Sequence, residues 1–155
     1  MTQLDALPPG TRAPSFALPA APGRQVSLDD FRGKPVVLAF YPADWSPVCG
    51  DQMALYSALR SEWDRLGADV IGISVDGPWC HKAFGEARNL GLTLLADFEP
   101  KGAVAKAYGV YDRREGTSER ALFVIDKQGV IRWIDVHDIN LRPPIEELAA
   151  ALEKL

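Results

Sequence analysis

The seven residues Pro35 to Tyr41, PVVLAFY, form a nearly unbroken apolar run of strand length. Such a run is stable as a strand covered on both faces, so it must sit centrally in a sheet rather than at an edge. The segments C-terminal to it supply the cover. After the loop PADWSPVCG, the residues Met53, Tyr56, Leu59, Trp63 and Leu66 recur at gaps of 3, 3, 4 and 3, which stacks them on one face of a helix ending at Gly67. Asp69 to Val75, DVIGISV, is a second apolar strand, and Ala83, Phe84, Ala87 and Leu90 mark a second helix closed by Gly91. Strand, helix, strand, helix is a parallel crossover arrangement.

Residues 93–96, TLLA, read as a short strand, succeeded by a short helix over 101–108 before Gly109. Arg120 to Ile125 and Val130 to Val136 are β-rich runs joined by Asp126-Lys127-Gln128-Gly129, the connection of an antiparallel hairpin. Pro143 and Pro144 open a last helix with Ile145, Leu148, Leu152 and Leu155 on one face. The first 34 residues, rich in Pro and Gly, form an extended entry containing a hairpin. With that entry and the 93–108 insert set aside, the order β-α-β, α, β-β-α resembles the thioredoxin fold. The expectation is therefore an α/β, thioredoxin-like domain over 1–155, with an N-terminal extension and an inserted strand-helix segment.

The net charge of -4, with Lys and Arg scattered, argues against a nucleic-acid partner. The N-terminus has neither a basic region nor a long apolar stretch, and no run approaches the ~18 apolar residues of a spanning helix, so no membrane association and a cytoplasmic location are expected. Cys49 and Cys80 are too few for a disulfide-stapled scaffold. Their reactivity becomes the question.

Cys49 falls where the loop after the central strand turns into a helix. Unpaired N–H groups and the positive end of the helix dipole favour a thiolate there. Position alone still leaves a buried core thiol as the commoner outcome, because free Cys is among the most buried residue types. The neighbours change this. Pro42, Ser46 and Cys49 spell P-x-x-x-S-x-x-C directly after the strand, which resembles the peroxiredoxin active-site motif in its Ser version. Residues 10–18, GTRAPSFAL, resemble that family's N-terminal segment, VSLDDFRGKPVVLAFYP its lead into the site, and RALFVIDKQGVIRW its C-terminal hairpin.

The resemblance to peroxiredoxins of the AhpC/TSA family implies a thiol peroxidase. Cys49 would attack hydrogen peroxide or an organic hydroperoxide and become a sulfenic acid. Ser46 would orient the peroxide and bond the thiolate, Pro42 would shield the sulfur, and Arg120 would stabilise both the thiolate and the leaving oxygen. Family members usually carry Glu three residues after the nucleophile, where this chain has Gln52. The amide still accepts a hydrogen bond but brings no charge, leaving the thiolate at least as favoured. Trp45 and Trp79 are read equally as pocket-mouth or core residues, and Tyr41 as core.

A sulfenic acid must condense with a thiol or risk over-oxidation. Cys80, 31 residues on, is the only internal candidate. Parallel strands would bring both cysteine loops to one sheet edge, although a disulfide needs Cα atoms within ~7 Å and hence local unwinding. Some members of the peroxiredoxin Q, or bacterioferritin-comigratory-protein-like, type carry a resolving cysteine in this second helix. AhpE-like one-cysteine members, resembled around DFEPKGAVAKAYGVYD, have none. With no cysteine after Cys80, the scheme with a C-terminal resolving residue is not expected. An intramolecular Cys49–Cys80 disulfide and resolution by an external thiol both stand.

No nucleotide fingerprint appears and no cofactor is expected, so electrons should come from thioredoxin, a glutaredoxin-like protein or a low-molecular-weight thiol. The resemblance allows a monomer or homodimer. His81 and His137 lack metal-ligand spacing with the cysteines, and His81-Lys82 reads as a solvated helix start. A thioredoxin-like disulfide oxidoreductase would need C-x-x-C where this chain has Cys49-Gly50-Asp51-Gln52. A redox-sensing module without turnover is the non-enzymatic alternative.

Overall fold

The computed structural model describes residues 5–137 and 145–155. The entry forms an antiparallel hairpin of β1 (Ala17–Ala21) and β2 (Arg24–Ser27), as its turn residues lead one to expect. The apolar run becomes β3 (Val36–Phe40), buried at every position. The expected single helix is two, α1 (Pro47–Ala58) and α2 (Arg60–Arg65), and α1 begins earlier than the apolar spacing indicated. The break falls at Leu59, and the Trp63 indole N–H donates to the Tyr56 carbonyl at 2.9 Å, satisfying an acceptor beside the interruption.

Beyond it come β4 (Asp69–Ser74), α3 (Pro78–Ala87), β5 (Thr93–Ala96) and α4 (Ala103–Ala107). The last is shorter than expected, and its first turn is held by the Asp97 carboxylate, which accepts from the N–H groups of Val104 and Ala105 at 3.0 and 2.9 Å. A two-rung ladder of β6 (Tyr111–Asp112) and β7 (Thr117–Ser118) was not foreseen. The chain continues through β8 (Arg120–Ile125), β9 (Ile131–His137) and α5 (Ile145–Glu153). The expectation that Pro143 and Pro144 open the final helix lies outside the described residues.

The sheet order is β5-β4-β3-β8-β9. β3 runs parallel to β4, with Val36 opposite Asp69, and antiparallel to β8, with Phe40 opposite Ala121. Strand alternation divides the core. Val36, Leu38 and Phe40 face the entry hairpin and α4, whereas Val37 and Ala39, with Tyr41 beyond the strand, face α1, α2 and α5. Because β3 and β4 are parallel, the loops carrying the two cysteines leave the same edge of the sheet. Among the described residues no helix is long and apolar enough to cross a membrane.

Candidate active site

The loop from Tyr41 to Ser46 links the end of β3 to α1 and is anchored at its root, where the Tyr41 N–H donates to the Ile73 carbonyl and the Ser118 hydroxyl to the Tyr41 carbonyl. Pro42 is buried in it. Ser46 has extended backbone and caps α1, with Pro47 in the first position, where a missing N–H costs nothing. Its hydroxyl donates to the Ala43 carbonyl at 3.2 Å. Cys49 is the third residue of α1, within the turn whose N–H groups have no intrahelical partner, and its side chain has no exposed surface.

Arg120 comes to this turn from the start of β8 and is itself buried. Its Nη2 donates to the Cys49 sulfur across 3.2 Å, and its Nη1 donates to Gln52 Oε1. The Gln52 amide in turn donates to the Tyr56 hydroxyl at 2.9 Å. Burial pushes the Tyr56 phenol well above its usual range, against the opposing pull of Gln52 and Arg120. The guanidinium presents fixed, charged donors at the sulfur and to an oxygen beside it. Sequence reading foresaw Cys49, Ser46, Pro42, Arg120 and Gln52 in this neighbourhood. It missed Tyr56, whose signal was its four-residue spacing from Gln52 on a helix.

Cys80 occupies the same local frame, third in α3 behind Pro78, but its surroundings are opposite in sign. Its sulfur lies 4.0 Å from Asp76 Oδ1. Burial, with the negative charges of Asp44 and Asp76 behind it, pushes this thiol up to about 11. Asp76 also accepts from the Asp44 N–H at 2.8 Å and from the Ser74 hydroxyl at 2.6 Å. The loop of Pro42 and Ser46 is thus tied to the loop leading to Cys80.

The expectation of a solvated His81 is corrected. The ring is buried, and α3 turns His81 and Phe84 inward while Ala83 and Ala87 face solvent. Its Nε2 lies 3.0 Å from the Leu95 carbonyl and its Nδ1 2.7 Å from Asp44 Oδ2, while the Tyr41 hydroxyl donates to Asp44 Oδ1 at 2.6 Å. A carbonyl only accepts, so Nε2 carries hydrogen, and the close contact at Nδ1 requires one further proton between imidazole and carboxylate. This buried pair fixes the loop between β3 and α1 from below. No spacing in the sequence joins Asp44 to His81.

Tyr41 is core, as expected. Trp45 is 49% exposed with φ of 70°, its ring 5.2 Å from that of Phe84, and Trp79 is 70% exposed. Phe98, 54% exposed, joins them beyond the end of β5, its ring against Gly77. These aromatics lie just past the C-terminal ends of β3, β4 and β5. A cavity of about 530 Å³ lies elsewhere, lined by Val36 and Ile125 at the opposite end of the central strands.

The profile of the AhpC/TSA family matches residues 9–134. The chain is 43% identical over 147 residues to the chloroplastic peroxiredoxin Q of Triticum aestivum, covering 94% of this chain and 67% of that protein. It is 34% identical over 149 residues to peroxiredoxin-1 of Gallus gallus, covering 89% and 74%. Among solved structures, AhpC of Enterococcus faecalis superposes with a TM-score of 0.85 at 29% identity, covering 94% of this chain and 90% of the other. AhpC of Mycobacterium tuberculosis shares the fold with a TM-score of 0.84 at 23% identity, over 96% and 92% of the two chains. A thioredoxin-like sheet, a cysteine in the first turn after its central strand and these relatives agree: the chain belongs to the AhpC/TSA family of peroxiredoxins, thiol-dependent peroxidases.

Proposed function

We propose that Cys49 is the peroxidatic nucleophile and that the enzyme reduces hydrogen peroxide and organic hydroperoxides. The observation that carries this reading is the Arg120 guanidinium 3.2 Å from the Cys49 sulfur in a buried site. The thiolate attacks the nearer peroxide oxygen, an S–O bond forms and the O–O bond breaks. Sulfur gives up two electrons, and the departing oxygen takes a proton to leave as water or alcohol. Cys49 is left as a sulfenic acid. Ser46 and Arg120 hold the peroxide, and Pro42 limits water at the sulfur. The exposed aromatics Trp45, Trp79 and Phe98 support acceptance of apolar organic hydroperoxides. The test is stopped-flow reaction of wild type and Cys49→Ser with peroxide: rapid oxidation lost only in the variant is expected, and equal oxidation of both overturns the assignment.

For the second half of the cycle we propose that Cys80 condenses with the sulfenic acid, releasing water and forming a Cys49–Cys80 disulfide that thioredoxin or a similar dithiol reduces. Parallel β3 and β4 support this by placing both cysteine loops at one edge. The step requires the first turns of α1 and α3 to open, because Cys80 in place is held as a thiol by burial and two carboxylates. That same observation favours a second reading, in which Cys80 stays put and an external thiol resolves Cys49. Peptide mapping of peroxide-treated protein without reduction separates the two. A Cys49–Cys80 cross-link supports the first, and a mixed disulfide on Cys49 with Cys80 free supports the second.

A further inference from the structure

The cavity of about 530 Å³ opens at the end of the sheet remote from Cys49. Its floor is the cross-strand pair Val36 and Ile125, both buried, with buried Leu28 beside them. Three segments wall it: residues 12–15 of the entry, the helical turn Leu28–Phe31 with the stretch after it, and the β8–β9 turn. Backbone hydrogen bonds join these walls in a ring. The Ala13 N–H donates to the Gly129 carbonyl at 2.9 Å, the Gly33 N–H to the Lys127 carbonyl at 3.2 Å, and the Leu28 N–H to the Phe16 carbonyl at 3.0 Å. The walls are thus fixed relative to one another, and the space between them falls in the range of about 300–1,000 Å³ typical of small-molecule sites.

Five charged side chains line the cavity, and all but one have a partner of opposite charge. Arg32 pairs with Asp29 at 2.9 Å and Lys34 with Asp69 at 2.8 Å. Asp126 pairs with Arg132 at 2.6 Å and also accepts from the N–H groups of Gln128 and Val130. Arg12 is left over. Among the described residues it meets no carboxylate, and its Nη1 donates to the Gln128 carbonyl at 3.3 Å, which holds the guanidinium along the β8–β9 turn. A guanidinium has five N–H donors, so most of its capacity is left for a ligand.

An apolar floor under a single unmatched cation selects the ligand. A carboxylate meets a guanidinium through two parallel hydrogen bonds and one unit of charge. A phosphate monoester carries nearly two charges and would leave one unmatched. We propose that this cavity binds a small amphiphilic monocarboxylate, with its carboxylate on Arg12 and its apolar body over Leu28, Val36 and Ile125. Neither cysteine takes part, so the inference stands independently of how Cys49 and Cys80 work.

The test uses phenylbutyrate as the probe and its primary amide as the uncharged counterpart, followed by amide NMR spectra of the full chain. Saturable shifts are expected at Ala13, Ser15, Leu28 and Gly129. The carboxylate should bind roughly ten-fold or more tightly than the amide, the factor expected of a hydrogen bond to a charged group. Arg12→Gln should erase the difference between the two probes, whereas Arg12→Lys, which keeps the charge without the fork, should retain part of it. Ser15→Trp puts a large ring at the rim and should weaken both probes alike. Equal affinity of wild type for acid and amide overturns the proposal, as does the absence of saturable shifts around the cavity. Shifts centred on Trp45, Trp79 and Phe98 overturn it too, because they put the probe on the other apolar patch. The comparison of acid with amide needs no variant, so a substitution that fails to fold leaves the test intact.

Discussion

Arg120 and Cys49, 71 positions apart in the chain, meet at 3.2 Å between guanidinium nitrogen and sulfur, with both side chains buried. One is set by the antiparallel neighbour of the central strand and the other by the first turn of a helix. The same guanidinium holds Gln52, so one planar group orients the two side chains that face each other across that turn.

Replacing Arg120 with Lys preserves charge but not the fork that serves sulfur and amide together. A hydrogen bond to a charged group contributes about 1.5–3 kcal/mol. The expected result for Arg120→Lys is a rate constant with hydrogen peroxide lowered by roughly one to two orders of magnitude, accompanied by a higher Cys49 pKa in alkylation profiles. A wild-type rate would show that the fork is dispensable.

Gln52→Glu introduces a carboxylate beside the sulfur and removes the amide that donates to Tyr56. Negative charge near a thiolate disfavours it. The Cys49 pKa should rise in this variant, read from thiolate absorbance in a Cys80→Ser background. A lower value would mean that Arg120 is held so much better by Glu that position outweighs charge.

The contrast between these two residues and the rest of the site shows what the sequence could reveal. The apolar run of β3, the crossover helices and the β8–β9 hairpin were readable because burial imposes a period on the residues themselves. Cys49, Ser46 and Pro42 lie within eight residues of one another and so form a motif. Asp44 and His81 do not. Their contact joins two loops through a sheet edge, and a histidine beside a lysine looks solvated until the rotation of α3 is known. The break at Leu59 was hidden because apolar spacing continues across it, and the capping indole of Trp63 acts through its polar edge while its ring keeps the pattern.

Cys80 offers a pH test. Its thiol is raised by burial and by Asp44 and Asp76, so the neutral form is favoured in the folded protein relative to the unfolded chain, where a cysteine titrates near ~8.5. The corresponding stability is complete below that value and is lost as pH rises toward about 11. In Cys49→Ser, alkylation of Cys80 should keep accelerating beyond pH ~9, and Asp76→Asn should move the midpoint down. A plateau near ~8.5 would remove the case for carboxylate control.

His81→Leu takes the imidazole from one oxygen of the buried Asp44 carboxyl and leaves the Tyr41 hydroxyl on the other. Breaking a buried pair from one side costs about 3–5 kcal/mol. Thermal unfolding should report a loss of about that size, and peroxide turnover should fall because the loop of Pro42 and Ser46 loses an anchor. A variant of undiminished stability would show that the proton resides on Asp44 and is satisfied without the ring.

The cation of this site belongs to the sheet, whereas the sulfur belongs to the first turn of a helix. If that turn opens to carry Cys49 toward another thiol, Arg120 stays behind on β8, and the sulfur leaves the guanidinium that it meets at 3.2 Å. Attack on peroxide and formation of a disulfide are then incompatible postures of a single residue. The interval between them is a clock: it fixes how long an oxidised sulfur waits within reach of a second peroxide, and its rate is set by the fraying of α1.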